Sequence, residues 1–157
     1  MAYNSDEIRG VMIQVGDDRL LLPNATVAEV LAKVPVEPVE DAPDWLPGTI
    51  QWRGWHVPLV AFARLAGMGE EAVTARNNRV VVLKALDGGE ALPYFGLLTA
   101  SFPQLASVPR DSLLADASED DLPRGIQMRV LLGEQSAMLP DLELVERMVA
   151  QALAAAA

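Results

Sequence analysis

The sequence predicts a mainly β protein whose antiparallel sheets form small barrels or a sandwich. Apolar and polar residues alternate along short segments such as residues 9–15, and a period of two is typical of a half-buried strand. Turn signals such as Gly16-Asp17-Asp18 separate these segments and favour antiparallel hairpins. Four consecutive apolar residues, 80–83, predict a strand that is buried on both faces. The pattern gives eight or nine short strands, two short helices and one C-terminal helix.

The first half of the chain contains two predicted hairpins. Their strands are residues 9–15, 19–22, 49–53 and 56–60. Between the hairpins, Asn24 or Thr26 is expected to cap a short helix over residues 27–31. Prolines in residues 34–47 predict a strand remnant and then an extended loop, because proline cannot donate to a strand ladder. A second short helix is predicted at residues 61–66.

The second half contains two further predicted hairpins and the C-terminal helix. The hairpin strands are residues 79–86, 91–99, 125–132 and 136–139, and another strand begins near Leu105. Residues 68–77 are expected to be a polar connection, and the acidic residues 111–121 a solvated loop. Asp141 is expected to cap a helix over about residues 141–155. One apolar stripe runs along this helix: Val145, Met148, Val149, Ala152 and Leu153.

Length and charge exclude several classes of protein. The 157 residues suit one compact unit, so residues 1–157 are expected to form a single domain. A net charge of -10 leaves no basic stripe for phosphates, and we expect no nucleic-acid partner. Apolar stretches are shorter than the roughly 20 residues of a membrane span, and the N-terminus lacks the pattern of a secretory signal. We therefore expect a cytoplasmic protein without direct membrane insertion.

Catalytic chemistry finds little support in the sequence. The chain has no cysteine, which excludes thiol catalysis and cysteine-ligated metals. It has one histidine, His56, which cannot by itself build a multi-histidine metal site. Gly88-Gly89 lacks the spacing of a phosphate-binding loop, and residues 116–121 lack the pattern of a calcium loop. The sequence thus predicts no catalytic residue and no metal site, and indicates a protein that is not an enzyme.

Arg53 is the most unusual residue of the predicted hairpin at residues 49–60, because tryptophans lie on both sides of it in the sequence. A buried arginine in this position needs a charged partner, and Glu29 is the nearest plausible candidate. An exposed arginine could instead lie on a tryptophan ring in a cation–π contact. The high apolar content, 51%, also suggests an apolar surface that faces a protein partner.

Several motifs follow one another in an order that is typical of a known family. They are Val27-Ala28-Glu29-Val30, Pro43-Asp44-Trp45-Leu46-Pro47-Gly48-Thr49-Ile50, Trp52-Arg53-Gly54-Trp55-His56-Val57-Pro58-Leu59-Val60 and Arg79-Val80-Val81-Val82-Leu83. By these motifs the chain resembles the CheW-like family, the adaptor domains of bacterial chemosensory systems, over about residues 9–86. The pattern R-G-x-x-V-P after G-x-I is the most specific part. In the family the first of these motifs forms a short helix.

The chain also departs from the family pattern. Phe95-Gly96-Leu97-Leu98 is not followed by the usual Val-Asp-x-Val, and Trp52 stands where leucine is usual. The acidic residues 111–121 are also unlike the family. These departures suggest a divergent adaptor, such as the type found in twitching-motility chemosensory systems.

The resemblance implies a fold of two five-stranded β-barrel lobes around a shared core, with the C-terminal helix against one lobe. It implies no enzymatic activity and no cofactor. The implied function is that of an adaptor that couples methyl-accepting chemoreceptors to the regulatory domain of a histidine autokinase.

Six residues carry the implied receptor- and kinase-binding site. They are Val27, Glu29, Val30, Arg53, Gly54 and Val81. By resemblance, Arg53 and Glu29 form an ion pair beside a groove that Val27, Val30 and Val81 line. Apolar anchors with a charge at the rim suit recognition of a helix in a groove.

Two other functions remain open at this stage. The chain could be a regulatory CheW-like module of a pilus-linked or other non-flagellar pathway. It could also be a small-molecule-binding barrel that stacks sugars on Trp45, Trp52 and Trp55.

Overall fold

The computed structural model contains eleven strands and two α-helices among the residues that it describes. It describes residues 7–15, 18–67, 79–85, 93–99, 102–109, 113–115, 122–132 and 135–156. The elements are β1 (Glu7–Val15), β2 (Asp18–Pro23), a 3-10 turn (Asn24–Thr26), β3 (Val27–Ala32), β4 (Gly48–Trp52), β5 (Trp55–Val60), α1 (Phe62–Ala66), β6 (Arg79–Lys84), β7 (Tyr94–Thr99), β8 (Gln104–Pro109), β9 (Leu113–Ala115), β10 (Ile126–Leu132), β11 (Gln135–Pro140) and α2 (Leu142–Ala156).

The strands form two sheets with linear strand orders. The first sheet has six strands in the order β8-β1-β2-β11-β10-β9, and the second has five in the order β3-β6-β7-β5-β4. Most neighbours are antiparallel, as predicted, and the hairpins β1–β2, β4–β5 and β10–β11 are confirmed. Two parallel pairs, β2–β11 and β5–β7, were not expected. The protein is mainly β, but neither sheet closes into the predicted five-stranded barrel.

The second sheet comes close to closing at its two edges, β3 and β4. Backbone atoms of Glu37, in the chain that leaves β3, pair with Thr49 of β4 through two N–H···O bonds of 2.8 Å. Gly48 permits this approach, since a Cβ there would lie 2.1 Å from the carbonyl oxygen of Glu37. A single bridge thus covers part of the outer edge of β4, where a closed barrel would have a full ladder.

The predicted short helix at residues 27–31 is wrong. These residues form β3, which pairs antiparallel with β6 from Val27 to Ala32, and a bulge interrupts the register between Val27 and Glu29. Only the preceding Asn24–Thr26 makes a helical turn, of the 3-10 type. β-branched valines pack well in a sheet, and the long-range pairing with β6 outweighs the weak local preference for a helix.

A central core joins the two sheets and the C-terminal helix. It contains Ile13 and Leu20 of the first sheet, Val81 and Phe95 of the second, and Val145 of α2. The predicted apolar stripe of α2 is confirmed, since its members are either buried or packed against this core. Asp141 caps the helix as expected, because its Oδ1 accepts a hydrogen bond of 3.2 Å from the Leu144 N–H.

A second core fills the other face of the five-stranded sheet. Ile50, Trp52, Val57, Val80 and Val82 are buried there. Strand β6 therefore contributes side chains to both cores, as the apolar run at residues 80–83 predicted. This second core includes Trp52, which directly precedes the turn of the β4–β5 hairpin in which Arg53 lies.

Some predictions fall partly or wholly outside the described residues. The connection 68–77, the turn Asp87-Gly88-Gly89 and most of the acidic segment 111–121 belong to this group. Within that segment the structure describes β9, which pairs with β10, so the predicted loop is wrong at residues 113–115.

Candidate functional site

The β4–β5 hairpin presents Arg53 in a two-residue turn. Trp52 and Trp55 are the last paired residues of the two strands, so Arg53 and Gly54 form the whole connection. Their φ angles are 50° and 82°, and tight hairpins favour positive φ at both central positions. Gly54 adopts this conformation readily, whereas it costs an arginine on the order of 1–2 kcal/mol. The turn holds Arg53 in a conformation that few residues of its size adopt.

Glu29 reaches the same place from the opposite edge of the sheet. It lies on β3, and its carboxylate accepts two hydrogen bonds from the end of the β4–β5 hairpin. The indole Nε1–H of Trp52 donates to Oε2 at 3.0 Å, and Nη2 of Arg53 donates to Oε1 at 2.8 Å. One carboxylate therefore connects the two edge strands of the sheet.

The ion pair lies at the surface, while the tryptophan beneath it is buried. The side chain of Arg53 is 68% exposed and that of Glu29 is 35% exposed. Trp52 is 8% exposed and belongs to the second core. The buried ring gives the exposed pair a fixed base.

The two hydrogen bonds lower the pKa of the Glu29 carboxyl below its ordinary value. The bond from the Trp52 indole is the largest cause, and the bond from Arg53 is the next. Desolvation acts in the opposite direction, and the positive charge of Arg53 adds a smaller lowering effect. Glu29 is therefore ionised at neutral pH, and the pair carries both charges.

Aromatic rings surround the base of the turn. Tyr94 makes an edge-to-face contact with Trp52 at 4.9 Å between ring centroids, and lies 5.9 Å from Trp55. The guanidinium carbon of Arg53 lies 5.0 Å from the centroid of the Trp52 ring. Arg53 thus makes both contacts that the sequence left as alternatives, the ion pair with Glu29 and the cation–π contact with tryptophan.

Comparison with known proteins gives the family. The CheW-like domain family matches residues 9–148. The chain belongs to the CheW-like family. The crystal structure of the scaffolding protein TtCheW from Thermoanaerobacter tengcongensis has a similar fold, with a TM-score of 0.74 at 15% sequence identity; the alignment covers 88% of this chain and 91% of that one. No curated protein sequence matches the chain.

In this CheW-like chain, five of the predicted site residues lie on β3 or in the Arg53-Gly54 turn, and each of them is at least partly exposed. Val27 and Glu29 are half-buried, Val30 is 38% exposed, and Gly54 is exposed with no atom near its missing Cβ. Arg53 completes this set. We call these five residues the β3–turn site.

Val81 lies elsewhere. It pairs with Val30 across β3 and β6, but its side chain is 0% exposed and packs in the central core. The side chain therefore cannot line a surface groove, contrary to the expectation from the resemblance. Strand β6 is the second strand of its sheet and is covered on both faces, which explains this burial.

The predicted sugar platform is not formed. Trp45 is buried in the central core and Trp52 in the second core, while Trp55 is 45% exposed. Three indole faces are therefore not presented together on one surface.

Sequence reasoning missed the hydrogen bond from Trp52 to Glu29. The available signal was the tryptophan itself, which stands where the family pattern has leucine and brings an N–H that needs an acceptor when buried. It also missed the exposed Phe102, whose ring centroid lies 3.9 Å from the Arg79 guanidinium carbon.

The described residues contain no group of three or more histidine, aspartate or glutamate side chains placed to hold a metal ion. Neither described α-helix is long and apolar enough to cross a membrane.

Proposed function

We propose that this CheW-like protein is a non-enzymatic, cytoplasmic adaptor that couples chemoreceptors to a histidine autokinase. We further propose that residues 1–157 act as one domain, and that the β3–turn site contacts the receptor or the regulatory domain of the kinase. Membership of the family supports the adaptor role. The observation that carries the site is the Arg53–Glu29 pair, at 2.8 Å on the surface of the second sheet.

The chemistry of the site suits a protein partner. Val30 offers an exposed apolar side chain on edge strand β3, on the opposite face of the strand from Glu29, and Arg53 offers a charged group that is hydrogen-bonded to Glu29. Apolar contacts give affinity, and charges near the rim set the register and exclude wrong partners. An amphipathic helix of a receptor tip has both features.

Calorimetry on the purified chain tests the proposal. The chain is titrated separately with the kinase regulatory domain and with a receptor-tip fragment from the same organism, and micromolar binding to both supports a coupling adaptor. Binding only to a kinase of a pilus-linked pathway would assign the chain to the regulatory alternative. A folded chain that binds no such fragment would contradict the adaptor function.

Matched arginine variants locate the binding surface. Arg53→Ala is expected to weaken binding to one partner by at least about fivefold, because a charged anchor is lost. Arg64→Ala is the control, since Arg64 is also exposed but lies on α1. Both variants change the net charge equally, so a general electrostatic effect would weaken partner binding by the same factor in both. Equal affinities for Arg53→Ala and wild type would exclude the β3–turn site.

A further inference from the structure

Trp52 connects a core to the surface, because its ring is buried and its indole N–H bonds to a partly exposed carboxylate. Its ring is buried in the second core and makes an edge-to-face contact with Tyr94. Its indole N–H points outward and donates to Oε2 of Glu29 at 3.0 Å. A buried indole N–H without an acceptor is costly, so this bond also satisfies the core.

The two oxygens of the Glu29 carboxylate accept hydrogen bonds from different residues. Oε2 is bound by the buried ring, and Oε1 remains for Nη2 of Arg53. An exposed ion pair between two mobile side chains loses entropy when it forms, and many such pairs contribute little. A carboxylate that is already hydrogen-bonded to a core residue loses less side-chain entropy when it pairs with the arginine.

We propose that Trp52 is the positioning residue of the β3–turn site: its indole N–H fixes the Glu29 carboxylate, and through it the direction in which Arg53 presents its guanidinium to a protein partner. The partner-facing part of this role rests on the proposed adaptor function. The positioning itself is a property of the isolated chain and is measured without any partner.

Side-chain NMR on the isolated chain tests the positioning. Trp52→Phe keeps an aromatic ring in the core but removes the N–H, and the matched control is Trp55→Phe in the same hairpin. In Trp52→Phe the pKa of Glu29 is expected to rise towards its ordinary value, because the largest cause of its lowering is gone. In Trp55→Phe it is expected to stay as in wild type. An unchanged Glu29 titration in Trp52→Phe would overturn the proposal.

A second measurement, the pH dependence of the indole N–H resonances, tests the proposal even if Trp52→Phe does not fold. The chain has three tryptophans and therefore three indole N–H resonances. The resonance of Trp52 is expected to shift with pH at the titration midpoint of Glu29, and to lose this shift in Glu29→Gln. The other two resonances serve as internal controls. A Trp52 indole resonance whose chemical shift does not change when Glu29 is protonated would overturn the proposal.

Binding measurements then separate this proposal from the proposed function. For the partner whose affinity Arg53→Ala weakens, Trp52→Phe is expected to weaken binding roughly two- to tenfold, the range of one hydrogen bond. If Arg53→Ala binds like wild type, the adaptor surface is wrong, and the Glu29 titration still decides whether Trp52 positions the carboxylate. If Arg53→Ala weakens binding but Trp52→Phe does not, the positioning role is wrong while the surface stands.

Discussion

Val30 and Val81 face each other across β3 and β6, and the same substitution at the two sites should have different consequences. Val81 is 0% exposed in the central core, whereas Val30 is 38% exposed on the edge strand. Truncation to alanine removes two methyl groups in both cases. A structural role predicts loss of stability, and a binding role predicts loss of affinity.

The exposures give the expected magnitudes. At about 0.8 kcal/mol for each buried carbon, Val81→Ala loses about 1.6 kcal/mol of transfer free energy, and the cavity raises the total to about 2–3 kcal/mol. Val30→Ala removes the same groups from a site that is already partly solvated, and we expect about 1 kcal/mol or less. For a chain of this size, the Val81 variant should melt roughly 4–12 °C below wild type.

Two assays on each variant check these values. Urea unfolding followed by tryptophan fluorescence reports the free energy of unfolding, and calorimetry with the receptor-tip and kinase fragments reports affinity. We expect Val81→Ala to lose stability and, below its melting temperature, to bind as wild type, while Val30→Ala keeps most of its stability and binds more weakly. A Val81→Ala variant as stable as wild type would refute the reasoning from burial. A Val30→Ala variant with full affinity would remove Val30 from the β3–turn site.

Three further variants test the turn, the edge bridge and the carboxylate. Arg53→Asn should stay within about 1 kcal/mol of wild-type stability, since asparagine tolerates positive φ, yet should lose affinity as Arg53→Ala does; a large loss in urea unfolding would contradict this. Gly48→Ala should lower the free energy of unfolding by about 1–3 kcal/mol, because its Cβ separates the Glu37–Thr49 bridge and its two hydrogen bonds; wild-type stability would show that the bridge contributes nothing. A Glu29 pKa below the unfolded value means that ionised Glu29 stabilises the fold above the unfolded pKa, and that this contribution is lost as pH falls through the folded pKa. Glu29→Gln should therefore flatten the acid side of the stability curve, and an unchanged curve would contradict the lowered pKa.

Local patterns in the sequence predicted most hairpins and the C-terminal helix because both depend on short-range signals. Alternation and the Asp18 turn region place β1 and β2, and the stripe through Val145 and Val149 places α2. The helix predicted at residues 27–31 is wrong because valine, alanine and leucine there suit both a helix and a strand. Only the pairing with β6, far along the chain, decides for the strand.

The candidate site was predicted in part, and the parts that were not predicted depend on contacts between residues far apart in the sequence. The resemblance predicted an ion pair between Arg53 and Glu29, and the two side chains lie 2.8 Å apart in the structure. The resemblance placed Val81 at the groove, although the apolar run at residues 80–83 predicts burial on both faces of the sheet, and Val81 is buried. The motifs did not indicate that the Trp52 indole contacts Glu29, since the two residues lie on opposite edges of the sheet.

The open edges of the second sheet explain why these contacts occur together. Unpaired sheet edges are liable to bind other chains unless something covers or blunts them. Here the Glu37–Thr49 bridge covers part of β4, and the Glu29 carboxylate joins β3 to the end of the β4–β5 hairpin. The Glu29 carboxylate thus both joins the two edges and binds Arg53 at the surface. A partner that docks on Arg53 would therefore meet the sheet where a side-chain contact joins its two edges.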